Sequence, residues 1–110
     1  MNKKIKKLWI SALKSGKYKQ GRKKLCHGGP QGVRYCCLGV LSDLAVKNNV
    51  CSRREAFEGN SLLNSSVIKW SNADGQDPRI CTKGMYTSLQ ELNDGGKSFE
   101  EIANLIEKYL

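Results

Sequence analysis

The chain has 110 residues, 39% of them apolar and 7% aromatic, and its 19 lysines and arginines against 10 acids leave a net charge of +9. That length holds one domain burying roughly 65% of its extended surface, and that apolar content excludes a disordered chain. No apolar run approaches the roughly 18 to 20 residues that cross a bilayer. The opening "MNKKIKKLWISALKSG" has only the short apolar stretch "LWISAL" and no small-residue cleavage site, so it is not read as a secretory signal. The expected location is the cytoplasm, where five cysteines stay reduced rather than forming a disulfide framework.

In chain order, Ile5, Leu8, Trp9, Ala12 and Leu13 fall at i, i+3, i+4, i+7 and i+8, which predicts a helix with one apolar stripe and a stop at Gly16. Trp9 lies in that stripe and reads as core rather than a base-stacking platform. "KYKQGRKKLCHGGPQGVRY" has no helical period and predicts two extended pieces around the "GGPQG" turn, a candidate short β-hairpin. From "RYCCLGVLSDL" onward, Cys37, Val40, Leu41, Leu44 and Ala45 return to helical spacing, which ends near Asn48 and Asn49. "VCSRREAFEGN" reads as a connection. "NSSVIKWSNADG" predicts a short helix capped by Asn64 or Ser65, with Val67, Ile68 and Trp70 apolar. "GQDPRICTKG" predicts turn, extended piece, turn, and "MYTSLQEL" a short helix presenting Met85, Leu89 and Leu92. In the ending "NDGGKSFEEIANLIEKYL", Glu101 follows Ser98 by three residues. That is a capping box, in which hydroxyl and carboxylate each satisfy an orphan backbone N–H. Phe99, Ile102, Ala103, Ile106 and Tyr109 then line one face. The sum is a small single domain over residues 1–110, α+β and mainly helical, with the Cys37 face packed on the first and last helices.

The charge is lopsided. Lys3, Lys4, Lys6, Lys7, Lys14, Lys17, Lys19, Arg22, Lys23, Lys24 and Arg34 all precede the first acid, Asp43, and the rest of the chain is slightly negative. Such asymmetry points to an anionic partner, because summed surface charge steers encounter; a solvated lysine-rich surface is the plainer alternative. Within "GKYKQGRKKL", Lys17, Lys19, Arg22, Lys23 and Lys24 surround Tyr18 in a glycine-interrupted stretch. The lysines and arginines suit phosphate contacts and Tyr18 suits stacking on a base. A basic amphipathic first helix also suits a membrane surface, but so short a chain needs its apolar stripe for a core.

Other chemistry is weaker. Cys26, His27, Cys36, Cys37, Cys51 and Cys81 are zinc-ligand material, yet they lack the C-x2-4-C pairs that let one turn offer two ligands. No metal and no cofactor is therefore expected. Cys36 or Cys37 at a helix start, with His27 as base, is the thiol-enzyme alternative, although nothing marks a third, orienting group and Cys37 fits a core face. "GGKS" at Gly95–Ser98 imitates the tail of a phosphate loop, but Glu91 stands where that motif needs glycine. The free N–H groups of the helix start at Ser98, with Lys97 beside them, remain a milder anion site.

"KYKQGRKKL", "RYCCLGVLSDL", "VIKWSN" and "LQELNDGGKSFEEIANLIEKYL", in that order, resemble a group of small proteins that recur in tailed-phage and prophage genomes. That resemblance implies genomic context rather than a chemistry. By analogy it suggests an accessory protein that binds, disabling a host or defence component or sequestering a signal. The resulting expectation is binding without catalysis. Lys17, Tyr18, Lys19, Arg22, Lys23, Lys24 and Arg34, extended by Lys97 and Ser98, would engage nucleic acid, a nucleotide signal or the acidic face of a host or defence protein. A shape-driven protein–protein inhibitor is the alternative.

Overall fold

Asn2 starts the first helix, its side chain accepting from the backbone N–H groups of Lys4 and Ile5, both at 3.0 Å, in a computed structural model that describes residues 1–30 and 32–110. This helix, α1 (Lys3–Lys14), buries Ile5, Trp9 and Leu13. Leu8 corrects the sequence reading: it is largely exposed and lines an open groove with Trp70 and Asn48, because the apolar stripe is wider than the surface covering it. Trp9 is fully buried, and its indole N–H donates to the carbonyl of Cys37 at 3.0 Å.

Three short strands follow: β1 (Lys19–Gln20), β2 (Cys26–Gly29) and β3 (Gly32–Tyr35). They form a sheet in the order β1-β3-β2, with β1 parallel and β2 antiparallel to β3. The expected hairpin is β2–β3, and β1 is a further strand that the sequence reading does not contain.

Helix α2 (Cys37–Lys47) is the centre of the fold. Every residue from Cys37 to Ala45 is buried, so the helix is enclosed all round rather than along one stripe. It touches α1 and β3, and also α3 (Arg53–Ala56), α4 (Ser65–Ser71) and α5 (Leu89–Asp94). Gly39 is required there. A Cβ at that position would stand 1.7 Å from the carbonyl oxygen of Leu25, which itself accepts from Cys36 N at 3.2 Å.

The connection after α2 contains α3, a single turn capped by Ser52, and α4 begins at Asn64 as its sequence predicts. The segment "MYTSLQEL" differs from expectation. Met85–Ser88 is a strand, β5, paired antiparallel with β4 (Arg79–Thr82), and α5 starts only after Ser88 caps it. Lys83 and Gly84 both take positive φ, 52° and 79°, and so make the two-residue turn that favours a hairpin over a helix. Met85 is consequently exposed, whereas Leu89 is buried. The capping box at Ser98 and Glu101 is present and opens α6 (Phe99–Tyr109), which packs along α1 and buries Phe99, Ile102, Ala103 and Ile106, leaving Tyr109 largely exposed. Among the described residues no helix is long and apolar enough to cross a membrane.

Candidate functional site

The basic segment is fixed by one buried amide. Asn93, fully buried at the end of α5, accepts from the Gln20 side chain at 3.0 Å and from Cys37 N at 3.1 Å, and donates to the carbonyl of Gly21 at 2.8 Å. Gln20 also donates to the Lys97 carbonyl at 2.8 Å. Next along the chain, Lys23 N donates to Asp94 Oδ1 at 2.8 Å, with Lys23 in the left-handed region at φ 69°. The residues that carry the "QGR", "CC" and "LND" blocks therefore meet at one point. This knot lays residues 20–24 against the turn between α5 and α6. Arg22 reaches Gly96 there, its guanidinium 3.7 Å from where a Cβ of residue 96 would be.

Lys97 and Ser98 thus adjoin the basic segment, but both are engaged. The Ser98 hydroxyl accepts from Glu101 N at 3.1 Å, and Ser98 N donates to Glu101 Oε1 at 3.1 Å. Lys97 Nζ lies 3.7 Å from Glu101 Oε2. The Ser98 N–H that an incoming anion would use already serves the Glu101 carboxylate, and the hydroxyl already caps Glu101 N.

Tyr18 is likewise occupied. Its hydroxyl donates to Asp43 Oδ2 at 2.5 Å, and its half-buried ring meets Tyr35 edge-on at 5.2 Å. Asp43 is the one charged residue in the enclosed part of α2, and it gathers Lys47 and Arg53 as well, each at 3.1 Å. Arg53 also donates to the Tyr35 hydroxyl at 3.2 Å and lies over the Phe57 ring. Burial alone would raise the Asp43 carboxyl. Hydrogen bonds from Tyr18, Lys47 and Arg53 outweigh it and hold the group below its ordinary value. Tyr18 moves up, through burial and its bond to Asp43. The tyrosine is a tether for the strand rather than a free stacking platform.

The remaining cations differ. Lys17, Lys19, Arg22, Lys23 and Lys24 are exposed and Arg34 is half-buried. Among the described residues, Lys17, Arg22, Lys23, Lys24 and Arg34 form no ion pair with a carboxylate. Four other cations do find carboxylate partners: Lys14 pairs with Glu107, Lys47 and Arg53 with Asp43, and Lys97 with Glu101, whereas Lys3, Lys4, Lys6 and Lys7 of α1 do not among the described residues.

The cysteines read as follows. Cys36 is the cap of α2, its Sγ accepting from Gly39 N at 3.4 Å, and burial pushes its thiol up to about 11. Cys37 is fully buried with Sγ donating to the Leu89 carbonyl at 3.5 Å, and burial pushes it well above its ordinary value. A helix start was expected to lower these thiols; desolvation outweighs it and acts in the opposite sense. Cys26 and Cys51 are half-buried and Cys81 is exposed.

Asn93, Gln20, Asp43 and Arg53 escape the sequence reading, which weighs His27 only as a zinc ligand or a base. Asp43 had a signal, an acid inside an apolar helix, which is seldom left without partners. Asn93 and Gln20 had none, because their bonds span 73 positions of sequence. The family model described as "Domain of unknown function (DUF8296)" matches residues 1–110. No curated protein and no solved structure matches the chain.

Proposed function

The chain belongs to the DUF8296 family along its whole length, and from its site we propose that it is a small phage-type accessory protein acting by binding, its basic first third engaging an anionic partner. Of the anionic partners, a nucleic-acid strand fits best. One observation carries this: Lys17, Arg22, Lys23, Lys24 and Arg34 lack carboxylate partners among the described residues and are gathered in one stretch that the Asn93 hydrogen bonds hold in place. These five lie on a loop and a strand rather than around a closed cavity, an arrangement for following a backbone of repeated charges. A nucleotide signal would be drawn by the same charges, with fewer of them used at once.

Fluorescence anisotropy with a labelled oligonucleotide over a range of salt tests this. Five phosphate contacts give a slope of log K on log salt of about −4.5 for duplex and about −3.5 for a single strand. Reversing Arg22, Lys23 and Lys24 together to glutamate removes binding. Wild-type affinity in that triple variant, or affinity indifferent to salt, overturns the proposal.

The shape-driven inhibitor reading has its own support in the β4–β5 hairpin, where Met85 and Tyr86 are 71% and 72% exposed. Methionine and aromatic residues are enriched in protein interfaces. A host-protein interaction that survives the triple charge reversal and is lost in Tyr86→Ala would favour it.

A further inference from the structure

The sheet register puts a second feature beside the basic loop. Lys19 is opposite Arg34, and Arg34 is opposite His27, so the three side chains share one face of the sheet in the order Lys19, Arg34, His27. Tyr35 and Cys26 alternate to the other face, where Arg53 meets them. The next pair on the His27 face is Gly29 opposite Gly32. The face therefore falls from a wall of imidazole and guanidinium to bare backbone. The result is a groove of about 200 Å³ lined by His27, Gly29, Pro30, Gly32 and Arg34.

Gly21 makes the wall possible. A Cβ there would stand 2.9 Å from Arg34 Cβ and 3.0 Å from His27 Nε2, so any larger residue would drive the two apart. Arg34 donates one N–H to the Gln20 carbonyl at 3.3 Å and has no carboxylate partner among the described residues. A guanidinium carries five N–H donors and an imidazole at least one. Among the described residues no acid lines the groove. The volume lies below the roughly 300 to 1,000 Å³ of pockets that enclose a whole drug-sized ligand. It suits a phosphate group whose sugar and base remain outside.

We propose that this groove seats a single phosphate group, Arg34 giving it a charge-assisted pair and His27 one N–H, with Gly29 and Gly32 letting its oxygens approach the backbone. The inference rests on the anion-binding reading above and adds a defined phosphate position to it. A nucleic-acid strand and a free phosphorylated ligand would present the same group.

His27 is the sole histidine of the chain, so its ring C–H signals in a proton–carbon NMR spectrum report on the groove without assignment. The full chain is titrated with a thymidylate oligonucleotide and, separately, with inorganic phosphate. The variant is Gly29→Val: among the described residues a Cβ at position 29 meets no atom within 4 Å, so the side chain enters the groove while the melting temperature stays unchanged. The expected result is a shifted His27 signal with the oligonucleotide, and affinity about tenfold weaker in Gly29→Val, the size of one lost charge-assisted contact. If the oligonucleotide binds by anisotropy while the His27 signal stays put and Gly29→Val keeps wild-type affinity, the groove is wrong and the basic-face proposal stands. If inorganic phosphate moves the signal and the oligonucleotide does not bind, the groove stands with a small phosphorylated ligand, and the strand reading falls. Silence from both probes overturns the groove and the strand reading together.

Discussion

The two faces of the β1-β3-β2 sheet are built from alternate residues of the same strands, and they differ in how charge is treated. On the inner face the Tyr35 hydroxyl meets Arg53, and Asp43 holds Arg53, Lys47 and the Tyr18 hydroxyl. On the outer face Arg34 stands between Lys19 and His27 with no carboxylate partner among the described residues. Both faces are rich in cations, so composition does not separate them. On one face α2 supplies the counter-ion, and on the other Arg34 has none among the described residues. The first arrangement ties α2 to the sheet, whereas the second leaves the Arg34 guanidinium with one carbonyl acceptor, and the proposed recognition rests on that contrast.

The sharpest way to break the comparison is beneath it. Gly39→Ala places a methyl group on the Leu25 carbonyl and displaces the strand entry from α2, so both faces lose their support. The expected cost is about 3 kcal/mol or more, read by chemical denaturation; a wild-type midpoint would mean the backbone moves aside easily there. Asp43→Ala attacks the inner face alone and should cost about 2 kcal/mol, since Lys47 and Arg53 can return to water but the Tyr18 hydroxyl loses its acceptor. Because the folded Asp43 carboxyl lies below its unfolded value, its contribution is complete above about pH 4 and is lost as the pH falls through the lowered folded value. Wild type should therefore show a steeper acid limb than Asp43→Ala, and parallel limbs would remove Asp43 from the account. Arg34→Ala is the smallest perturbation, expected within about 0.5 kcal/mol of wild type. A loss as large as that of Asp43→Ala would make the outer face structural and end the contrast.

Much of the fold is legible in the sequence because helix signals are local. Ser98 with Glu101, Asn64 before Ser65, and the spacing of Ile5, Trp9 and Leu13 each declare a helix within a few residues. The β4–β5 hairpin was missed because "MYTSLQEL" offers three apolar residues at spacings a helix tolerates, and the left-handed backbone at Lys83 is not visible in a lysine. The site was half legible. The unpaired cations follow from the absence of acids before Asp43, but the docking of Tyr18 depends on a partner 25 residues away. The place of His27 beside Arg34 depends on the register of the β2–β3 hairpin, which the "GGPQG" turn announces without fixing.

The Asn93 knot also sets an order of events during synthesis. Cys37 N waits for an acceptor 56 residues further along the chain, an interval of roughly 3 to 11 s at the usual elongation rates of about 5 to 20 residues per second. Until Asn93 emerges, Gln20 and Gly21 lack their partner and the cationic segment has no fixed path. Closure of so long a loop comes late in folding. A newborn chain therefore carries its basic residues on an unfixed path, exposed to any polyanion nearby, the ribosome included, until the last two helices dock.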